Sequence, residues 1–431
     1  MSTEILIAIG LIMGLLVLLF SGLHVAWAIG IIAAIGLVLV DQPMSQFAWS
    51  SWSGLYSFVL TAVPLFIFMG NILANTGINE KLYYAIERWL GWLPGGLACS
   101  TIGASGVFAA MCGSSVAATA TFGKIAFPAM EKRGYSPRLG LGSIAMGAIL
   151  APLIPPSLLL IVYGVWQRVS ILDLFAAGII PGTMLIILYI LFIIIRVKLN
   201  PGLAPSAPTV SWGERMRVTT GIIPTLILVA GVLGVMFGGI MTPTEAAAMG
   251  AFLSIIIGLA YRQLNLAVLK ASFLDTVKIC SMMFFIMVTA LTLVHVLNIL
   301  GLTHQISEGL LNLPIGKYGI IAVLLVMYLI MGMFFDSWSM LFLTITFVFP
   351  VVTELGFSPI WWGVIYVMAG EQSNVTPPFG LSLFILKSVI PHHSMGTIIR
   401  GALPFLIPVY INIAILMAFP EITLWLPQLL R

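Results

Sequence analysis

Charge is what this sequence has least of. Asp, Glu, Lys and Arg together make up 7% of its 431 residues, whereas a soluble domain carries about 25%. Fourteen acidic and 18 basic side chains cannot coat a water-facing surface of that size, so a soluble globular protein is excluded. With 61% hydrophobic residues, the composition leaves an all-α polytopic membrane protein embedded in the lipid bilayer. A net charge of +4 offers no basic patch, and no nucleic-acid partner is expected. Cysteine is scarce too: Cys99, Cys112 and Cys280 follow neither metal nor disulfide spacing and read as packing residues. His24, His295, His304, His392 and His393 show no ligand spacing. No Ser or Cys stands beside a plausible base, so the chain is not read as an enzyme. The opening MSTEILIAIGLIMGLLVLLFSG lacks the basic segment of a secretory signal and reads as a first permanent span.

What the chain has in abundance is apolar runs, several of them interrupted. Runs near 5–20, 24–40 and 55–75 read as spans, and INEKLYYAIERWLGW (78–92) reads as an amphipathic interfacial segment. Two shorter runs rich in small residues, near 95–130 and split by CGSS, predict a re-entrant hairpin. A stretch near 138–168 is broken by PLIPPS, and a span near 172–197 follows. The polar segment 198–217 is the one sizeable linker, and its basic residues place it in the cytoplasm. Beyond it come spans near 218–240, 244–261 and 278–300. A second paired run follows at 317–352, then a second broken stretch at 359–390 and a last span near 396–419. The count is about ten crossings plus two hairpins, with both termini outside.

One internal offset, 222 residues, keeps three proline landmarks in register. It carries FP (127–128) onto FP (349–350), GYSP (134–137) onto GFSP (356–359), and Pro155–Pro156 onto Pro377–Pro378. The same shift sets GSS (113–115) against FDS (335–337) at the two hairpin tips. The first hairpin enters from the cytoplasm and the second from outside, so residues 1–197 and 218–431 are expected to form an inverted repeat about the 198–217 linker. Inverted repeats with helices broken at matching positions mark secondary transporters, with substrate bound near the midplane.

The candidate site residues cluster at these breaks and tips. CGSSVAATAT (112–121) offers hydroxyls, carbonyls and free N–H groups, with Ser114 and Ser115 favoured as contacts over Thr119 and Thr121. Asp336, with no charged neighbour from Lys317 to Glu354, could ligate a cation, relay a proton or pair silently. In APLIPPS (151–157) and EQSNVTPP (371–378), proline frees carbonyls that a hard cation such as Na⁺ suits, while the following half-helix offers N–H groups to an anion. Glu245 is left out, because Thr242, Pro243 and Glu245 fit a capping box. Lys124 reads equally well as an anion contact or a side chain snorkelling to the interface.

The stretches GSSVAATATFGKIAFPAMEKRGYSP, APLIPPSLLLIVYG and TPTEAAAMGA resemble the large membrane subunit of tripartite ATP-independent periplasmic (TRAP) transporters over essentially the whole chain. The resemblance implies a bacterial inner-membrane importer driven by a Na⁺ gradient through an elevator-type movement. It also implies a small four-helix membrane subunit and a soluble periplasmic binding protein. That protein would deliver an organic acid such as sialic acid or a C4-dicarboxylate. Because the sequence begins with the large-subunit pattern, the small subunit is expected as a separate polypeptide. Carried over by position, one Na⁺ site would lie between Gly113, Ser114 and Ser115 and the break holding Ala151, Pro152 and Pro155. A second would lie between Asp336 and Ser337 and the break holding Glu371, Ser373, Asn374, Thr376 and Pro377. Substrate would sit between the tips, with Ser115, Thr119, Ser157, Ser337 and Ser339 as its expected contacts. The runner-up is a stand-alone divalent-anion:Na⁺ symporter that needs no binding protein.

Overall fold

The computed structural model describes residues 3–205, 211–378 and 380–430, and every regular element among them is helical. Two apolar helices joined by a tight turn come first, α1 (Thr3–Phe20) and α2 (Val25–Leu39). A short helix absent from the sequence reading follows, α3 (Gln46–Leu55), and then α4 (Ala62–Asn75). Pro64 is tolerated in α4 because it falls in the first turn, where N–H groups have no intrahelical acceptor. The amphipathic segment is α5 (Ile78–Leu90), which buries Leu82, Tyr83 and Ala85 and exposes Glu80, Lys81 and Tyr84.

The first half continues with α6 (Gly96–Cys112), α7 (Ser115–Lys132), α8 (Pro137–Ala148), α9 (Leu158–Gln167) and α10 (Ile171–Leu199). Then come α11 (Trp212–Thr219), α12 (Ile223–Phe237), α13 (Pro243–Ala260), α14 (Leu266–Ile299) and α15 (Leu302–Leu311). The last group is α16 (Gly316–Met331), α17 (Ser337–Glu354), α18 (Pro359–Glu371), α19 (Leu381–Val389), α20 (Met395–Ala402), α21 (Leu406–Ala418) and α22 (Glu421–Leu429). The polar linker is narrower than the sequence suggests, since α10 runs to Leu199 and α11 begins at Trp212; residues 206–210 lie outside the described residues. Helix α11 docks on α5 through an Arg88 Nε–Glu214 Oε1 contact of 3.2 Å and a Trp89 to Thr219 hydrogen bond of 2.9 Å.

Among the described residues, six helices are long and apolar enough to cross a membrane, or seven if the bent pair α11–α12 counts as one span. Helix α17, one arm of a predicted hairpin, is 18 residues long and passes the same test. Burial shows which elements form the centre. Every residue of α8 from Leu139 to Ala148 is buried, as is every residue of α18 from Trp361 to Glu371. Helix α10, by contrast, buries Leu185, Tyr189 and Ile193 and exposes Ile187, Leu191 and Ile195. An apolar stripe turned outward at helical spacing suits lipid, not water.

A shift of 222 residues carries α7 onto α17 at both ends and starts α8 where α18 starts. It also superimposes two cis peptide bonds, Pro155–Pro156 and Pro377–Pro378.

Candidate ion and substrate site

At the first tip, α6 ends on Gly113, whose φ of +57° is the left-handed conformation that lets a helix stop without a Cβ penalty. Ser114 caps α7 by accepting from the Ala117 N–H at 3.4 Å. A Cβ built on Gly113 would lie 3.1 Å from the Pro156 carbonyl oxygen, so this tip rests directly on the first break. Within that break the Ser157 hydroxyl donates to the Pro152 carbonyl and accepts from the Leu160 N–H at 3.2 Å. Ser157 thus satisfies its own turn and the start of α9.

The second tip is built with more polar material. Asp336 caps α17, accepting from the Trp338 N–H at 3.1 Å and from the Ser339 hydroxyl at 2.5 Å. Ser337 donates to Glu371 Oε1 at 2.7 Å, and Tyr366 donates to the Ser337 carbonyl at 2.5 Å. Helix α18 unwinds after Glu371 into a 3₁₀ turn, Gln372–Val375, that brings Asn374 back over Glu371. The Asn374 amide nitrogen lies 3.0 Å from Glu371 Oε2, 3.1 Å from Ser337 Oγ and 3.3 Å from Ser115 Oγ. One side chain of the second break therefore touches both tips.

A cavity of about 370 Å³ opens beside this network. Gly113, Ser114, Ser115, Pro152, Asp336, Ser337, Glu371, Ser373 and Asn374 all line it, so nine of the sequence candidates converge on one space. The others do not reach it. Ala151 and Pro155 are buried in the first break, and Pro377 follows the second. Thr119 is fully buried and donates to the Ser115 carbonyl at 2.7 Å. Thr376 donates to Gln372 O at 2.8 Å. Ser339 spends its hydroxyl on Asp336, and Ser157 spends its own on Pro152. Thr119, Ser157 and Ser339, expected as substrate contacts, thus hold their hydroxyls inside their own helices and caps. Three residues passed over in the sequence belong to the site: Tyr366, Gly332 and His24. A Cβ on Gly332 would come within 2.4 Å of Ser373 Cβ, so only glycine lets α16 press against the unwound turn. Tyr366 lies inside an apolar run, WWGVIYVMA, where nothing but its hydroxyl distinguishes it.

The electrostatics are one-sided. Glu371 is 3% exposed, and among the described residues neither it nor Asp336 has a Lys, Arg or His within ion-pair distance. His24, at the cavity wall, is the one lining residue able to carry positive charge. Removing a carboxylate from water without a counter-charge costs several kcal/mol. Two carboxylates, serine hydroxyls and the carbonyls of an unwound turn are the oxygen donors that a hard cation takes.

Compared with known proteins, residues 12–422 match the family model described as "Tripartite ATP-independent periplasmic transporter, DctM component". The chain belongs to this family. It is similar to the C4-dicarboxylate TRAP transporter large permease protein DctM of Vibrio cholerae, 31% identical over 90% of this chain and 89% of that one. The sialic acid TRAP transporter large permease protein SiaM of the same organism is 29% identical and covers 98% of both chains. Among solved structures, the YdaH transporter of Alcanivorax borkumensis aligns with a TM-score of 0.58 over 87% of this chain and 86% of that one. At 17% identity that likeness concerns the fold alone. The DctM-family chain is therefore a multi-pass TRAP large permease, and the relatives it matches are named as transporter permeases.

Proposed function

We propose that this TRAP large permease imports an organic acid anion, of the sialic acid or C4-dicarboxylate kind, in symport with Na⁺ across the bacterial inner membrane. One observation carries the reading: two carboxylates, Asp336 and Glu371, face the cavity between the tips without a basic partner. An incoming substrate carboxylate about 4 Å from such a group is repelled by on the order of 4 kcal/mol at an effective dielectric constant near 20. Na⁺ bound at the oxygens of the second tip and break reverses that sign, and substrate then binds well only after the ion. Coupling follows from charge alone. The first site would use Gly113, Ser114, Ser115 and the carbonyls near Pro152. The second would use Asp336, Ser337, Glu371, Ser373 and Asn374. Substrate would meet Ser115 and Ser337 from the cavity side.

The paired helices α6–α7 and α16–α17 serve in this reading as re-entrant hairpins of an inverted repeat, entering from opposite faces. Their joint displacement with α8, α9, α18 and α19 would be the elevator step. The family's tripartite description and the relatives' names support two partners, a small four-helix membrane subunit and a periplasmic binding protein. Reconstitution tests the whole reading. Na⁺-driven uptake into proteoliposomes should require this chain, the small subunit and the loaded binding protein together. Robust Na⁺-driven uptake by this chain alone would instead establish the stand-alone symporter, and uptake indifferent to Na⁺ would remove the ion from the mechanism.

A further inference from the structure

Away from the cavity, at the exposed end of α7, three side chains from distant parts of the chain converge. His392 Nε2 lies 3.1 Å from Glu131 Oε1, and His393 Nε2 lies 3.2 Å from the same oxygen. The ligand atoms of the three groups all lie within 4.8 Å of one another. The two histidines stand 261 and 262 residues from Glu131, so no spacing in the sequence could have announced the cluster. Adjacent residues in a helix or strand point to different faces. Here the turn between α19 and α20 brings both rings to one side. Lys387 Nζ fixes that turn by donating to Pro391 O at 2.7 Å and His393 O at 2.8 Å. Phe127, one turn back on α7, packs against both rings, with centroids 6.1 and 5.2 Å away.

We propose that Glu131, His392 and His393 form a binding site for a first-row transition-metal ion, zinc by preference. A carboxylate with two imidazoles is a donor set that zinc takes, with further positions left to water. Tetrahedral bonds of about 2.0–2.1 Å put neighbouring donor atoms about 3.3 Å apart. The nitrogen-to-oxygen separations of 3.1 and 3.2 Å already stand near that edge length. The side chains are open to solvent, with relative exposures of 47% for Glu131, 57% for His392 and 19% for His393, so an ion can enter from water. Burial is the largest single influence on the Glu131 carboxyl and raises it, but the hydrogen bonds and charge of His392 and His393 together hold it below its ordinary value. A bound ion would fasten α7, from the first half of the chain, to the α19–α20 turn of the second. The site is independent of the transport reading, since it lies outside the cavity and uses none of its residues.

The full chain, purified in detergent through a histidine-free tag, should bind one equivalent of Zn²⁺ saturably by calorimetry. Its thermal unfolding midpoint should rise with Zn²⁺ concentration, as mass action requires of a ligand for the folded state. Glu131→Gln should weaken binding by at least ~10-fold, and the double variant His392→Ala/His393→Ala should abolish it. Mg²⁺, which prefers oxygen ligands, should not compete. Co²⁺ on the unaltered protein should give the visible absorption of a tetrahedral site, a readout that does not depend on any variant folding. Zn²⁺ binding unchanged in the double variant, effective competition by Mg²⁺, or no saturable binding would each overturn the proposal. Metal-free unfolding of each variant establishes that a lost signal is a lost ligand.

Discussion

The two breaks share their prolines and their position in the repeat but solve the problem of an interrupted helix differently. The first is nearly bare: its one polar side chain, Ser157, caps the helix that follows and closes on Pro152 within the same loop. The second carries Glu371, Gln372, Ser373, Asn374 and Thr376, and through Asn374 it reaches both tips. A self-satisfied break serves as a scaffold for the tip beside it. A break with outward-reaching groups can respond to what enters the cavity. The 222-residue correspondence holds for the paired prolines of both breaks, and the polar side chains depart from it in the second.

The sharpest way to break this comparison is to remove a carboxylate and the group that occupies its place in the other half. Asp336→Ala should lower the apparent Na⁺ affinity for uptake by about 100-fold or more, since it would strip the proposed ion of a carboxylate, and losing one partner of such a desolvated pair costs about 3–5 kcal/mol. Ser114, which takes the place of Asp336 in the first half, should cost far less as Ser114→Ala, about 0.5–2 kcal/mol for a lost cap. Na⁺-titrated uptake in proteoliposomes, with insertion checked separately, decides it; equal losses would end the asymmetry.

A second pair is Asn374 and Pro152, which occupy matching positions. Asn374→Ala removes the contact between the tips and leaves Ser115 and Ser337 short of a donor, an expected loss of about 1–3 kcal/mol. Pro152→Ala should move the unfolding midpoint much less, and the Na⁺-dependent shift of that midpoint should shrink only in the Asn374 variant. Gly332 and Ala110 form a third pair, in which the first half already has the methyl group. Gly332→Ala must push against Ser373 and should cost about 1–3 kcal/mol by overpacking, read as a lower midpoint in detergent. The smallest effect is reserved for Ser157→Ala. It should cost about 1 kcal/mol of stability and leave the Na⁺ dependence of uptake where it was.

Much of this frame was legible in the residues. Proline and glycine punctuate a membrane helix so strongly that PP, FP and GYSP/GFSP alone set α7 against α17 and α8 against α18. The capping box was legible too: the Thr242 N–H donates to Glu245 at 2.8 Å, and the Glu245 N–H donates to Thr242 at 3.4 Å. Asp336 is a helix cap as well as a cavity acid, whereas its isolation in the sequence left a cation ligand, a proton relay and a silent structural partner all open. What could not be read was long-range. Hydroxyls such as Thr119 and Ser339 look available in a string of letters, and only the fold shows that a neighbouring carbonyl or carboxylate has taken them. The length of α14 was hidden for a different reason. Lys270, Asp275 and Lys278 look like the edge of a span, yet the helix simply continues through them, with Asp275 and Lys278 paired on its exposed side.

One amide group carries a consequence of simple counting. The Asn374 nitrogen has two hydrogens and faces three oxygens, one on each tip and one on the acid between them. At any instant one of the three is served poorly, and whatever takes hold of the acid frees a hydrogen for the serines. Through this shared amide, the hydrogen bonding open to Ser115 and Ser337 depends on what Glu371 accepts.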